Sequence, residues 1–319
     1  MTVSVVITCY NEERYIEQAV RSVVAQTAFD QVKEIIVAND GSRDNSQVVL
    51  QRLANEIKRL RIVATAGLGI SAARNRALRE VKGTFIAFLD GDDYWTPEKL
   101  AQQLPAFAKN PRIGLVYGDF AYFSRHDASD ARPVTVRRYR PESAHHLRDY
   151  FIHDGPIVPS TAIVRRTVFN DIGVFDETLR IGEDTEFFLR VARKWRFCHV
   201  PEALTFKRRH SGQVTHRLEV LIPNAALVTE RVCDYYPELR GFANRRMARV
   251  HVKVSIHCSI SGEQRKAIEH ALKAVRLAPL FWRVWPNLLL AAAPPRFVRP
   301  FYDAAKRLYH RTRRITAAM

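Results

Sequence analysis

Three carboxylates, Asp90, Asp92 and Asp93, stand within four residues, directly after the apolar run Phe85-Ile86-Ala87-Phe88-Leu89. A run with no polar position reads as a strand covered on both faces, as inside a parallel sheet. Thr96-Pro97-Glu98 reads as a helix start, with Thr96 as N-cap and Pro97 in the first helical position. The acids therefore sit in a strand-to-helix connection, at the carboxyl end of a strand, where open α/β sheets bind ligands. Like charges this close repel by about 1–4 kcal/mol per pair at moderate dielectric. A divalent cation relieves that cost, and oxygen ligands suit Mg²⁺ or Mn²⁺. The plainer alternative is an acidic turn in water.

Other residues of the same kind recur at comparable places. Tyr10 and Glu12 follow the apolar run 3–8, and Asp40 follows the run 34–38. Arg74 follows Gly67-Leu68-Gly69. Together they suit a metal–nucleoside diphosphate: Tyr10 stacks on the base, Asp40 accepts a hydrogen bond from it, and Arg74 and a metal on Asp92 hold the phosphates. A different enzyme is also readable. Gly67-x-Gly69-x-x-Ala72 matches the dinucleotide fingerprint of an NAD-dependent oxidoreductase, with Asp90 about 20 residues on. Against it, the glycines follow the third strand rather than the first, one acid would suffice, and Arg74 and Arg76 fall inside the following helix.

The elements that must position these groups alternate along the first half of the chain. Strands are expected at 3–8, 34–38, 61–65 and 85–89. Helices lie between them, carrying Ile16, Ala19, Val20, Val23 and Val24 in the first and Leu50, Leu53, Ala54 and Ile57 in the second. Asn11 and Asp44 are the expected N-caps, and the third helix covers about 70–80. This order predicts a parallel α/β sheet with the polar residues gathered on one edge. A helix over 97–108, strands within 113–123, a polar loop over 124–140 and a strand at 157–165 follow. After a turn at 173–176 come a helix over 182–194, short strands at 197–200 and 203–208, and a helical pattern from 218 onward.

Length allows one large core plus an appendage. Cys9, Cys198, Cys233 and Cys258 show no paired spacing, which suits a reducing cytosol. The first residues lack a signal-peptide pattern, and no window of about 18 uncharged apolar residues promises a membrane-spanning helix. The net charge of +17 is uneven: from Arg217 onward 19 Lys/Arg face 7 Asp/Glu. A basic nucleic-acid-binding protein would interleave its cations with aromatics on one face. Here the chemical edge is acidic and the positive charge lies in a separate tail, so no nucleic-acid partner is expected.

In order along the chain, Val5-Val6-Ile7-Thr8-Cys9-Tyr10-Asn11-Glu12, Ile36-Val37-Ala38-Asn39-Asp40-Gly41-Ser42-Arg43-Asp44, Ala73-Arg74-Asn75 and Phe88-Leu89-Asp90-Gly91-Asp92-Asp93 resemble the motifs of the family 2 glycosyltransferases with the GT-A fold. Gly182-Glu183-Asp184 resembles their acceptor-side motif and Arg209-His210-Ser211-Gly212 their late diphosphate-binding loop. The likeness covers 2–216. It implies a Rossmann-like, mostly parallel sheet flanked by helices, with a nucleotide-sugar-binding half over 1–110 and an acceptor-binding half over 111–216. It also implies inverting transfer of a sugar from a nucleoside-diphosphate donor with Mg²⁺ or Mn²⁺, in synthesis of a bacterial-type cell-surface polysaccharide or glycolipid. By the same likeness Thr8, Tyr10, Glu12 and Asp40 hold the nucleoside, Arg74 and Asp90 the ribose and diphosphate, and Asp92 the metal. Asn39 replaces an Asp common in the family, with little loss expected beside Asp40. His210 is a metal ligand, a diphosphate contact or an ordinary loop histidine. His145, His146 and His153 lack partners at ligand spacing.

Between Asp184 and Glu183 as general base, helical spacing favours Asp184. Its stripe continues through Phe188, Val191 and Trp195 and faces inward, whereas Glu183 continues through Glu186, Arg190 and Lys194, read as a solvated face. The basic region 217–319 is expected to be a helical extension. Leu280, Phe281, Trp282, Val284 and Trp285, between Lys273 and Arg276 on one side and Arg296 and Arg299 on the other, suit an element lying in an anionic membrane interface. The enzyme would then be cytoplasmic, peripheral on the inner face of the membrane, and act on a glycan or lipid-linked acceptor. The alternative is a packed helical cap with a solvated basic face.

Overall fold

Successive residues of the first strand serve two different cores. In the computed structural model, β1 (Val3–Cys9) sends Val5 and Ile7 to one face of the sheet and Val6 to the other, the period-2 rule of a strand covered on both sides. β2 (Val32–Asn39) divides Ile35 and Val37 from Ile36 and Ala38, and β4 (Phe85–Asp90) divides Ala87 and Leu89 from Ile86 and Phe88. α1 (Ile16–Val24) and α2 (Ser46–Glu56) cover the first face, and α3 (Ile70–Leu78) covers the second with Ala73 and Ala77. Full burial of each such Val, Ile, Leu or Phe contributes about 1.5–3 kcal/mol. The structure describes residues 1–125, 128–134, 139, 143–155, 157–210, 218–282, 284–294, 298 and 300.

With β3 (Leu60–Ala64), the order β3-β2-β1-β4 is parallel throughout. Beyond it the sheet changes character. β5 (Tyr94–Trp95), α4 (Lys99–Gln103), β6 (Ile113–Phe123), β7 (Arg132–Val134), α5 (Ala144–His153), β8 (Ile163–Arg165), α6 (Thr167–Ile172), α7 (Glu183–Ala192) and β9 (Arg196–Arg208) follow. The sheet continues β4-β8-β6-β9-β5, with β8 antiparallel to both β4 and β6 and β6 parallel to β9. The C-terminal region is helical: α8 (Leu218–Tyr235), α9 (Ala243–Ile260), α10 (Gln264–Leu277) and α11 (Val284–Ala292). Its helices are docked, not loose. Val228 and Val232 of α8 join the main core, and the buried Arg246 of α9 donates to Thr229 Oγ1 at 3.0 Å and pairs with Asp154 at 2.5 Å.

Several local expectations need correction. α1 starts at Ile16, because Asn11 sits in the left-handed region (φ 56°) and uses its Oδ1 to accept from the Arg43 N–H at 2.8 Å. Asn45 precedes α2, while Asp44 supports that start by accepting from the N–H groups of Ser46 and Glu13 at 3.0 Å each. Glu98, not Thr96, precedes the helix after the acidic loop, which tightens to a 3₁₀ segment at Leu104–Ala108, where Pro105 has no N–H to give. The 157–165 stretch holds a 3₁₀ turn at Pro159–Thr161 before its strand. The polar 124–140 stretch contains β7 on the β6 edge. Its residues 126–127, 135–138 and 140, the 211–217 part of the late motif, and Arg296, Arg299 and 301–319 lie outside the described residues.

Candidate active site

Strand register brings the expected residues to one edge. Thr8 lies opposite Asp90 and Cys9 opposite Asn39, so the ends of β1, β2 and β4 deliver 8–12, Asp40 and 90–93 side by side. Gly91 permits the closest approach: a Cβ there would lie 2.6 Å from Thr8 O and 3.5 Å from Glu12 Cγ. No side chain fits between the acidic loop and the end of β1.

The three acids then part ways. Asp93 is turned inward, where its carboxylate accepts from the Ser160 hydroxyl at 2.7 Å, from the Arg208 N–H at 2.9 Å and from Lys207 Nζ at 3.4 Å. Burial raises its pKa to about 7 even though Lys207 opposes the shift. Asp90 Oδ1 accepts from Arg74 at 2.8 Å, and Asp90 Oδ2 lies 3.7 Å from Lys207 Nζ. Burial works against its ionisation, but those two cations hold it below the ordinary range. Asp92 lies 3.0 Å from His210 Nε2, and these two can be grouped with Glu12, the three ligand atoms all within 4.8 Å of one another. Glu12 Oε2 is buried without a hydrogen-bond partner among the described residues, and burial together with Asp92 and Asp90 drives the Glu12 pKa to about 9. A cluster of oxygens and one imidazole, with an orphaned carboxylate atom, is what a divalent cation fits.

Ser160, in the 3₁₀ turn under this loop, is a site residue that the sequence does not announce. Its hydroxyl accepts from the Asp90 N–H at 3.0 Å while donating to Asp93. Ser160→Ala is expected to strand both groups and cost about 1–3 kcal/mol. Urea unfolding checks this, and unchanged stability would refute the bridging role. Lys207 was missed for a related reason, since it sits beside the Arg209-His210 motif and in sequence looks like one more cation of a basic strand end.

On the nucleoside side, Tyr10 is 47 % exposed, so its ring is available for stacking. Thr8 donates to Asp90 at a long 3.4 Å. Asp40 is not a free acceptor: it takes the Thr65 hydroxyl at 2.5 Å, the Leu68 N–H at 2.9 Å and the Gly69 N–H at 2.8 Å. Asp40 thus also clamps the glycine turn, in which Gly67 and Gly69 take φ of 72° and 102°. That clamp also weighs against the oxidoreductase reading, because the N–H groups of 68 and 69 are already engaged by a carboxylate and β3 is the sheet's outermost strand. Arg74 likewise departs from expectation. It is 1 % exposed, with Nη2 on Asp90 and Nη1 on Glu183 at 2.7 Å. In this structure its terminal nitrogens serve carboxylates, joining α3 to α7.

Glu183 is the clearest correction. The face expected to be solvated is buried at its start, with Glu183 7 % and Glu186 3 % exposed, and reaches solvent only at Lys194. Glu183 is neutralised by Arg74, while Glu186 pairs with Arg190 at 2.8 Å and accepts from the Tyr235 hydroxyl at 2.5 Å. Asp184 is half-buried and, among the described residues, makes no ion pair. Its Oδ1 accepts from the Thr185 N–H at 2.7 Å, and burial, reinforced by Glu183, raises its pKa to about 7. α8 fixes the start of α7, for Asn224 Oδ1 takes the N–H groups of Arg180 and Ile181 at 2.8 and 3.4 Å. Opposite, His210 packs on Tyr15 with ring centroids 5.3 Å apart. Arg208, held between the rings of Tyr15 and Phe123, donates to Asp92 O at 2.9 Å.

Comparison with known proteins agrees with this edge. The glycosyl transferase family 2 profile matches residues 4–173. An uncharacterized glycosyltransferase of Bacillus subtilis, EpsJ, is 29 % identical over 250 residues, covering 76 % of this chain and 70 % of that protein. Chondroitin synthase of Pasteurella multocida is 25 % identical over 290 residues, covering 85 % of this chain but only 28 % of the synthase. Among solved structures, S. aureus TarS 1-349 in complex with UDP-GlcNAc matches with a TM-score of 0.64 at 20 % identity, over 96 % of this chain and 92 % of that one. The mannosyltransferase PcManGT of Pyrobaculum calidifontis, in complex with GDP-Man and Mn²⁺, matches with a TM-score of 0.57 at 17 % identity, over 91 % and 85 %. The sheet is that of the GT-A fold, and with more than half its length matched by the family profile the chain belongs to glycosyl transferase family 2 and is a glycosyltransferase enzyme.

Proposed function

We propose that this enzyme transfers a sugar, with inversion, from a nucleoside-diphosphate donor to an acceptor hydroxyl, in the synthesis of a cell-surface polysaccharide or glycolipid. The observation that carries the reading is the juxtaposition, on one sheet edge, of the exposed Tyr10 ring and the Asp92–His210 pair, with Asp184, outside any ion pair among the described residues, next to the Glu183 that Arg74 ties to Asp90. UDP-GlcNAc in TarS, GDP-Man and Mn²⁺ in PcManGT, and the name of chondroitin synthase support the donor class, the metal and a glycan product.

Asp92 and His210 are the residues that would hold Mg²⁺ or Mn²⁺. When bound, the cation supplies positive charge to the donor diphosphate and to the charge it gains as the glycosidic bond breaks. Tyr10 and Thr8 flank the nucleoside, and Asp90 faces the ribose and diphosphate. Asp184 takes the proton of the acceptor hydroxyl as that oxygen bonds to the anomeric carbon, and the bond to the diphosphate oxygen breaks on the opposite face. A pKa near 7 suits this exchange, since the carboxylate is ionised in part at neutral pH yet basic enough to hold a proton. The test is release of UDP or GDP from a panel of nucleotide sugars, with Mn²⁺, with Mg²⁺ and with EDTA. No turnover of any donor with metal present would overturn the reading, and full turnover in EDTA would remove the metal from it.

A specific observation supports the peripheral membrane location. Leu280, Trp282, Trp285 and Leu289 are 99, 67, 48 and 75 % exposed at the α10–α11 corner, and Lys273 and Arg276 precede them on α10. Trp285 and Leu289, four apart, share one helix face. Among the described residues no helix is long and apolar enough to cross a membrane. Such a corner inserts its apolar tips at the headgroup boundary, and each nearby cation adds about 1 kcal/mol on an anionic surface. The protein is expected to float with anionic-lipid vesicles at low salt, and Trp282→Ser with Leu289→Ser to stay in the soluble fraction. If wild type stays soluble, α10 and α11 are only a cap.

A further inference from the structure

The carboxylate of Glu12 has no role in the donor contacts argued so far, and its surroundings do not suit the nucleoside contact that the family likeness implies. We propose that Glu12 is a ligand of the divalent cation, the third with Asp92 and His210; this rests on the reading that the acidic edge holds a metal.

The backbone around Glu12 is already fixed. Its N–H donates to Ser46 Oγ at 2.8 Å and its carbonyl accepts from the N–H groups of Tyr15 and Ile16 at 2.9 Å each, so the residue turns the chain from β1 into α1. That turn sends the side chain across Gly91 toward Asp92. Glu12 Oε2 ends within the protein with no donor to meet it among the described residues, while its nearest charged neighbours of the acidic loop share its sign. A buried carboxylate oxygen without a partner is costly unless a cation or proton completes it. The grouping of Glu12 with Asp92 and His210, every ligand atom within 4.8 Å of the others, supplies the place for the cation.

The chemistry of the set also differs from that of Asp92 and His210 alone. One carboxylate and one imidazole leave a divalent ion with net positive charge and few protein ligands. Adding Glu12 balances the charge of the ion before any diphosphate arrives, so the nucleotide-free protein should retain metal. The imidazole nitrogen biases a mixed carboxylate set toward Mn²⁺ over Mg²⁺.

Direct Mn²⁺ binding tests the assignment without reference to turnover. The loss of the free-Mn²⁺ EPR signal is titrated against the full-length wild type, Glu12→Gln and Asp92→Asn, with and without UDP. Wild type is expected to bind one Mn²⁺ without UDP and to gain thermal stability from it. Glu12→Gln should keep its metal-free melting temperature but bind Mn²⁺ on the order of 10–100-fold more weakly. If Glu12→Gln binds Mn²⁺ as wild type does while Asp92→Asn does not, Glu12 is not a ligand and the metal reading stands. If wild type binds Mn²⁺ neither with nor without UDP, both fail. Should Glu12→Gln melt early, Glu12→Asp, which keeps the charge one methylene short, takes its place and should still bind more weakly than wild type.

Discussion

Replacing Asp184 by Asn is expected to lower transfer by about 10²–10⁴-fold, the usual cost of losing a general base, while donor affinity stays unchanged. The side chain stands at the first turn of α7, half-buried and outside any ion pair among the described residues. Asn keeps its shape and the Thr185 contact, so the fold should hold. Besides burial, the groups that set its proton affinity are Glu183, Arg74, the Thr185 N–H and Asp154; Asp184 in turn helps hold the nearby Tyr150 hydroxyl, raised first by burial, well above its ordinary range. Burial raises Asp184 to about 7, Glu183 raises it further and Arg74 lowers it. A base must be unprotonated to act, so kcat/KM should fall as pH drops below about 7, and this limb should vanish in Asp184→Asn. Glu183→Gln removes a raising influence, so its limb should move to lower pH. A wild-type rate in Asp184→Asn, or a limb that Glu183→Gln leaves in place, would take the role away from Asp184.

Glu183 shows where sequence reasoning meets its limit. The four parallel strands and the helices around them were legible because near-continuous Val, Ile, Ala and Phe runs separated by amphipathic stretches admit little else. The polar edge was legible with them, since strand ends fix which residues become neighbours: Thr8 meets Asp90 because both close strands that pair in register. The stripe through Glu183, Glu186, Arg190 and Lys194 was read as solvated from residue type alone. What buries it are partners far along the chain, Arg74 at 109 residues' separation and Tyr235 at 49 from Glu186, and charge pairing at that range leaves no periodic signal. Asp40 is legible only in part in the same way: its motif places it at the edge, but only the three-dimensional turn shows that its oxygens also accept from Thr65, Leu68 and Gly69. The antiparallel entry of β8 between β4 and β6 was likewise closed to sequence, because a strand of three residues, Ile163 to Arg165, carries no direction.

Arg74→Met is expected to destabilise the protein by about 3–5 kcal/mol at neutral pH, the typical cost of breaking a buried pair from one side. The guanidinium is 1 % exposed and rests near the ring of Phe175, with its carbon 5.4 Å from the ring centre. Burial disfavours its charge, but Asp90 and Glu183 outweigh that and raise its pKa, so it is charged whenever the protein is folded. Methionine fills the space, leaves Glu183 without its cation and leaves Asp90, among the described residues, with Lys207 alone, 3.7 Å away. Arg74→Lys fares little better, since one ammonium replaces a planar fork that reaches both acids. The pH dependence distinguishes this account from a packing defect. In wild type, Asp90 is held below its ordinary pKa, so it contributes stability above the unfolded pKa of about 3.9, lost as pH falls through the lower folded value. In Arg74→Met that contribution is reduced to what Lys207 supplies, and protonation of the acids relieves the lost pairing on acidification. The stability gap between wild type and variant should therefore narrow from pH 7 toward pH 4. Combining Arg74→Met with Glu183→Gln should recover part of the loss, because one of the unpaired charges is removed. A gap that stays constant with pH and a double variant whose losses simply add would show that Arg74 acts by filling space, not by neutralising Asp90 and Glu183.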